Sequence, residues 1–278
     1  MTIRRAYVDG SWGQLHLRAA GSDRALPPLL MLHPTPKSGW IWEPLMPLLA
    51  AGRIVVAPDT PGYGASDPPP VPPTIEALAD EMLALCDTLV AQAVLPPGPV
   101  DVMGYHTGSV IAAAMARRAP DRVRRLLLVS LPAYSPQERA AKLTRLDDWP
   151  GPKADGSHLG AMWRLVDGLT DPRAGTAWKH ASVTENLRCG DRAPWGYRAV
   201  FGHDFQADLD ALVQPTLIIN PQDDLWQQTR DNVGRVRHAR YLELPGVGHG
   251  LFDLDRDLIA GAALDFLDAP SPGTPDDS

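Results

Sequence analysis

The sequence has few of the features that mark specialised protein classes. Two cysteines, Cys86 and Cys189, in 278 residues cannot build a disulfide scaffold. No apolar run reaches the roughly 20 residues that cross a bilayer, and the opening segment Met1–Arg5 has no apolar signal core. The net charge is -7 and the basic residues form no dense run, which argues against nucleic acid and anionic membrane as partners. We therefore expect a cytoplasmic protein, with Cys86 as a buried free thiol.

Short apolar runs bounded by turn residues alternate with segments of helical periodicity. This alternation predicts a mostly parallel sheet covered by helices on both faces, an α/β class. The predicted strands are Ile3–Val8, Gln14–Ala20, Leu29–Leu32, Ile54–Ala57, Val100–Met103, Arg125–Ser130, Thr216–Asn220 and Arg240–Leu244. The predicted helices are Trp40–Ala50, Ile75–Val94 after the N-cap Thr74, Ser109–Arg118 and Leu254–Leu267.

The alternation stops in residues 132–214. That segment contains four of the eight tryptophans and shows helix-like periodicity at Glu138–Leu146 and Leu159–Leu169. Loops of this length are uncommon in compact domains, so we predict an inserted helical cap. The expected division is a sheet domain at 1–131 and 215–268, a cap at 132–214, and a disordered tail rich in Pro, Ser, Gly and Asp at 269–278.

The pentapeptide Gly104-Tyr105-His106-Thr107-Gly108 lies between a predicted strand and a run of small residues. Two glycines around a central residue fit a strained strand-to-helix turn, in which the helix packs closely against the strand. The same pattern also fits a chance G-x-H-x-G in an ordinary turn. In the strained turn, His106 would project from the apex, and Ser109 would face the helix packing.

Five further motifs follow one another in the order typical of one family. They are His33-Pro34-Thr35-Pro36 after a strand, the loop Asp59–Asp67, Ala119–Val123 before a strand, Asp223-Asp224 after a strand, and Pro245-Gly246-Val247-Gly248-His249. Together with the pentapeptide they resemble the α/β-hydrolase fold superfamily over about residues 1–131 and 215–268. In that superfamily the pentapeptide position is the nucleophile elbow, so a histidine stands where serine is usual. The resemblance implies an α/β-hydrolase fold and an enzyme.

The resemblance also implies three catalytic positions. His249 takes the position of the general base, and Asp224 would orient it because Asp224 lies three residues after Pro221, which replaces the usual glycine. Asp223 is the adjacent alternative, and one of the two aspartates is expected to be a solvated turn residue. His106 completes the set.

The oxyanion hole of the superfamily corresponds here to the backbone N–H groups of Thr35 and Thr107. Pro34 replaces the usual glycine but leaves the Thr35 amide in place. His33 is expected to be a structural hydrogen-bonding residue. Aromatic and polar side chains are expected to line the substrate pocket. The candidates are Trp40, Trp163, Tyr197 and His203.

A histidine at the elbow leaves three interpretations open. His106 is a nucleophile that forms an acyl-imidazole, or it is a base or binding group in non-covalent chemistry, or the protein only binds a ligand. We favour the non-covalent role, because imidazole is bulkier than the serine side chain. The expected substrate is a small apolar or aromatic molecule of carbonyl or ester type, with a lyase, isomerase or cyclase as the alternative to a hydrolase.

The sequence shows no third metal ligand beside His106 and His249, so we expect neither a metal nor another cofactor. The expected partner is a small-molecule substrate, and the chain is expected to be a monomer or a homodimer.

Overall fold

The computed structural model describes residues 2–146 and 149–270. Its centre is an eight-stranded sheet of order β1-β2-β4-β3-β5-β6-β7-β8. Its strands are β1 (Arg4–Gly10), β2 (Gly13–Ala20), β3 (Leu29–Leu32), β4 (Val55–Pro58), β5 (Val100–Tyr105), β6 (Val123–Val129), β7 (Thr216–Pro221) and β8 (Arg240–Leu244). Only β2 pairs antiparallel, with β1 and with β4, so the predicted, mostly parallel sheet is confirmed.

Apolar packing on both faces explains why the central strands read as continuous apolar runs. In β3, Leu30 and Leu32 join one buried cluster, whereas Leu29 and Met31 join the cluster on the opposite face. The first hairpin turns at residues 11–12 instead of the expected Asp9-Gly10. Gly10 still pairs with Gly13, whose φ of 123° is easily adopted only by glycine.

Helices cover both faces of the sheet. Outside the segment between β6 and β7 they are α1 (Met46–Leu49), α2 (Ile75–Ala91), α3 (Thr107–Arg118), α9 (Trp226–Asn232), α10 (Leu251–Leu254) and α11 (Arg256–Leu267). The Thr74 hydroxyl accepts from the Ala77 N–H and caps α2 as predicted. The prediction of a single helix at Trp40–Ala50 is wrong. Pro47 is tolerated only in the first turn of a helix, so a separate short helix, α1, begins at Met46. Within the described ranges, no helix meets the length and hydropathy needed to span a bilayer.

The described part of the chain between β6 and β7, the segment predicted as a cap, contains five α-helices. They are α4 (Pro136–Leu143), α5 (Ser157–Leu169), α6 (Thr176–Arg188), α7 (Trp195–Gly202) and α8 (Phe205–Ala211). The periodicity indicated α4 and α5 but not the other three. The sequence did not predict α6, because the buried face of this helix carries the polar residues Ser182 and Asn186. These residues weaken the apolar periodicity that indicates a helix. The domain bounds stay a prediction, and the predicted disorder of 271–278 lies outside the described residues.

Backbone hydrogen bonds join this helical segment to the loops of the sheet domain. The Asp171 N–H donates to the carbonyl of His249, at 2.9 Å, and the Asp171 carboxylate accepts from the Gly248 N–H, at 3.0 Å. On the other side, the Tyr197 hydroxyl donates to the carbonyl of Thr35. The helical segment is therefore fastened directly to the loops that carry the predicted site residues.

The turn from β5 to α3 needs its two glycines for steric reasons. A Cβ on Gly108 would overlap the carbonyl of Leu32, and a Cβ on Gly104 would overlap the carbonyl of Gly108. Helix α3 can therefore lie against β3 and β5 only when both positions lack a side chain.

We predict that Gly108→Ala lowers the free energy of unfolding by at least about 2 kcal/mol, because backbone must move to relieve the overlap. Gly261→Ala in α11 is the matched control, since its Cβ would meet nothing within 4 Å. That change should raise stability by up to about 1 kcal/mol. Urea denaturation followed by circular dichroism measures both values. Equal stability of the two variants would contradict the tight packing of the turn.

Candidate active site

His106 occupies the apex of the turn between β5 and α3. Its backbone has φ 51° and ψ -113°, a strained conformation for a residue with a side chain. Its N–H donates to the carbonyl of Val129, which fixes the turn against β6. Ser109 is fully buried, and its hydroxyl bonds the carbonyls of Gly104 and Val129. Ser109 therefore faces the helix packing, as the sequence predicted.

Two histidine–aspartate pairs meet at this apex. His106 Nε2 lies 2.8 Å from Asp223 Oδ2, and His249 Nε2 lies 2.7 Å from Asp224 Oδ1. The centroids of the two imidazole rings are 5.4 Å apart. The structure thus brings together His106, Asp224 and His249, and it adds Asp223 as a fourth member.

The carboxylate of Asp223 is completely buried and saturated with donors. Ser130 Oγ donates to Oδ2 at 2.6 Å, Tyr105 donates to the same oxygen at 3.2 Å, and the Leu225 N–H donates to Oδ1. Asp224 is 46% exposed but is held by His249. One of the two aspartates was expected to be a solvated turn residue; Asp224 is the solvent-exposed one, but it also binds His249. Sequence reasoning also missed Tyr105 and Ser130, although both flank predicted site strands.

The two histidines differ in how many ring nitrogens are free. His249 Nδ1 lies 3.0 Å from the Tyr105 hydroxyl, so both nitrogens of His249 are engaged. His106 uses Nε2 for Asp223, and its Nδ1 has no hydrogen-bond partner among the described residues. A free nitrogen opposite a carboxylate-bound nitrogen is the arrangement of a general base. On this geometry His106, and not His249, has that arrangement.

The charges of the cluster stabilise one another. Burial alone would raise the pKa of the Asp223 carboxyl, but His106 and His249 hold it below its ordinary value. Burial alone would lower the pKa of His106, but the Asp223 charge and its hydrogen bond, helped by Asp224, raise it. The pKa of Asp224 is also held down, chiefly by its bond to His249 against the effect of burial. Two carboxylates therefore support positive charge on the His106 ring.

Thr35 and Thr107 are the two residues predicted to supply oxyanion donors. Both residues are buried, and their N–H groups donate to no acceptor in the described part of the chain. Buried N–H groups normally find a partner, so these two are available to a ligand oxygen. Thr35 lines the cavity beside His106, and Thr107 directly follows His106 at the start of α3. His33 is structural as expected, with Nδ1 near the Pro34 carbonyl and Nε2 accepting from the Thr60 N–H.

A cavity of about 100 Å³ lies between the helical segment and these residues. His106, His249 and Asp224 line it, and so does Tyr197, as predicted. Its volume is well below the roughly 300–1,000 Å³ of drug-sized ligand sites, which favours a small ligand. Its aromatic wall also includes Trp149 and Trp178.

Three of the predicted substrate-binding residues do not line this cavity. Trp40 packs behind the wall, with its ring 6.0 Å from that of Trp178. Trp163 is 37% exposed on α5, because the inner face of that helix presents Met162 and Val166 instead. His203 bridges the carboxylates of Glu76 in α2 and Asp208 in α8 and is not among the lining residues.

The four side chains of the two pairs could also hold a cation. Ligand atoms of His106, Asp223, Asp224 and His249 lie within 4.8 Å of one another. The sequence argument against a metal depended on the lack of further ligands, and the structure overturns that reason. Each imidazole Nε2 is already bonded to a carboxylate, however, so a cation would have to displace two ion pairs.

Comparison with known proteins agrees with the fold. A family profile described as alpha/beta hydrolase fold matches residues 27–255. The chain belongs to the α/β-hydrolase fold family. A pimeloyl-(acyl-carrier protein) methyl ester esterase from Aromatoleum aromaticum is 36% identical over 255 residues, covering 81% of this chain and 92% of that protein. The corresponding esterase from Nitrosomonas europaea is 25% identical over 266 residues, covering 86% and 93%.

Solved structures of the family superpose over nearly the whole chain. Epoxide hydrolase A from Mycobacterium thermoresistibile has a TM-score of 0.78 at 19% identity, covering 98% of this chain and 100% of its own. The enol-lactonase from Burkholderia xenovorans has a TM-score of 0.75 at 21% identity, covering 95% and 100%. At such identities the superpositions establish the fold alone.

We predict that a fluorophosphonate probe does not label this protein. The elbow carries His106, and Ser109 is buried with its hydroxyl bonded to two carbonyls. A serine esterase treated in parallel should be labelled stoichiometrically. Intact-protein mass spectrometry measures the adduct. Labelling that disappears in Ser109→Ala would contradict the placement of the elbow apex at His106.

We predict that dialysis against EDTA does not change the melting temperature. The two imidazoles form ion pairs with Asp223 and Asp224, which a cation would have to break. Elemental analysis of the protein before and after dialysis, compared with a zinc enzyme as control, reports the metal content. Stoichiometric zinc whose loss stops turnover would show that the four side chains are metal ligands.

Proposed function

We propose that the protein is a hydrolase of small ester-type substrates in which His106 activates water without forming a covalent intermediate. The observation that carries this proposal is the state of the His106 ring. Its Nε2 is bonded to the buried Asp223 carboxylate, while its Nδ1 is free at the wall of the cavity. The names of the relatives, which are methyl ester esterases, support an ester as the substrate class.

The chemistry requires a base, an oxyanion site and a proton donor. His106 takes a proton from water as the hydroxyl oxygen attacks the ester carbonyl, and Asp223 stabilises the imidazolium that results. The N–H groups of Thr35 and Thr107 stabilise the negative oxygen of the tetrahedral intermediate. His106 then returns the proton to the leaving alkoxide. Water and ester thus yield acid and alcohol, and no atom of the protein is changed.

The same geometry weighs against the nucleophilic interpretation. An acyl-imidazole would form at the free Nδ1, which is the nitrogen nearer to the backbone of a strained turn. His249, engaged at both nitrogens, is a positioning group in this proposal, since it orients Tyr105 and Asp224.

We predict that His106→Ala reduces kcat/KM for a short 4-nitrophenyl ester by about 10²–10⁴-fold, the usual contribution of a general base. His249→Ala should cost less, because only the orientation of Tyr105 and Asp224 is lost. Stopped reactions of the native protein should show no acyl adduct by mass spectrometry. A transient acyl group mapped to His106 would establish the nucleophile instead. A larger loss of kcat/KM in His249→Ala than in His106→Ala would identify His249 as the general base.

The pH profile provides a separate test of the role of Asp223. The base must be unprotonated, so kcat/KM should rise with pH, with a midpoint above the ordinary histidine pKa of about 6.5. Asp223→Asn removes the main cause of the raised pKa and leaves burial, so the midpoint should move to lower pH. Asp224→Asn should move it less, since Asp224 makes no bond to His106. A protein that only binds would instead show a ligand-dependent melting temperature and return the ligand unchanged.

A further inference from the structure

Lys37 places a cation on the wall of the cavity. It follows Pro36 in the loop after β3 and lines the same cavity as His106 and His249. Its Nζ donates to the carbonyl of Ser182 at 2.8 Å, to Ser182 Oγ at 2.5 Å, and to Asn186 Oδ1 at 2.6 Å. All three acceptors are neutral groups of α6. The hydrogen-bond donors of the Lys37 ammonium are therefore all used, but its positive charge faces no negative charge among these partners.

No carboxylate of the described residues forms an ion pair with Lys37. Lys179, on the same side of α6, does pair with Asp167. Burial lowers the pKa of Lys37 to about 7, and the more distant Glu185 compensates only in part. A partly buried ammonium without a counter-ion is unfavourable. A ligand that supplies the missing negative charge therefore binds more tightly than a neutral one.

The surroundings indicate where the negative charge would bind. Ser182 Oγ accepts from Lys37, which leaves its own proton without an acceptor in the described residues. Asp224 also lines the cavity, but its charge is paired with His249. Among the described lining residues, Lys37 therefore carries the charge without an ionic partner, and a ligand anion is attracted to it.

We propose that Lys37 and Ser182 form a subsite for a substrate carboxylate, remote from the bond that is cleaved. This inference rests on the proposed ester hydrolysis and names its substrate class, the short half-esters of dicarboxylic acids. In a cavity of about 100 Å³, the ester carbonyl at His106 and the carboxylate at Lys37 must belong to one short molecule. The Lys37 ammonium would attract the carboxylate by its charge, and the Ser182 hydroxyl would donate a hydrogen bond to it.

The kinetic test compares two esters of matched shape. In 4-nitrophenyl 4-methylpentanoate, two methyl groups stand in place of the carboxylate oxygens of mono-4-nitrophenyl succinate. With uncatalysed rates subtracted, the native protein should hydrolyse the succinate with at least a tenfold higher kcat/KM. Lys37→Met should reduce the ratio of the two kcat/KM values to about one. Lys179→Met, on the same helix, is the control and should keep the preference.

A binding test keeps the inference separate from the catalytic proposal. Succinate should raise the melting temperature of the native protein, butyramide should not, and Lys37→Met should remove the effect of succinate. If no ester is hydrolysed but succinate still stabilises the native protein, the proposed function fails and the subsite stands. Equal rates for the two esters, a preference that survives Lys37→Met, or no stabilisation by succinate would overturn the subsite. If Lys37→Met does not fold, the subsite is tested on the native protein alone. The two tests are then the comparison of the two esters and the comparison of succinate with butyramide.

Discussion

The buried carboxylate of Asp223 is the group on which the geometry of the site depends. A charge removed from water is stable only when donors surround it, and Asp223 receives them from Tyr105 at the end of β5, Ser130 after β6, and His106 at the elbow. The ends of β5 and β6 are thereby held to one point after β7. The position of the His106 ring follows from this, because its Nε2 is one of the required donors.

This constraint distributes the roles of the two histidines differently from the pattern that the family resemblance implies. Asp224 stands at the acid position and contacts His249, but it does so through Nε2, while Tyr105 occupies Nδ1. The histidine loop therefore presents no free nitrogen. The elbow histidine, with its own aspartate, does present one. The replacement of serine by histidine and the presence of a second aspartate belong together in physical terms, since a buried imidazolium needs a counter-ion.

The sequence predicted the sheet well and the site in part. Strands β3 and β8 agree to the residue, because apolar runs bounded by turn residues leave little choice of bounds. Convergence of His106, Asp224 and His249 followed from the order of the motifs. The pairing of His106 with Asp223 did not, since it depends on the direction of two adjacent side chains after β7. Helix α6 was not predicted because polar residues on its buried face interrupt the apolar stripe that indicates a helix.

The bond between Asp171 and the His249 loop has a consequence for protein engineering. The helical segment supplies backbone and carboxylate contacts to residues 248 and 249, so it is part of the scaffold of the site as well as its cover. Replacing the whole segment with that of another family member, as a way to change specificity, would remove the support of the histidine loop. A graft that retains the turn around Asp171 and exchanges only the facing side chains of α5 and α6 avoids that loss.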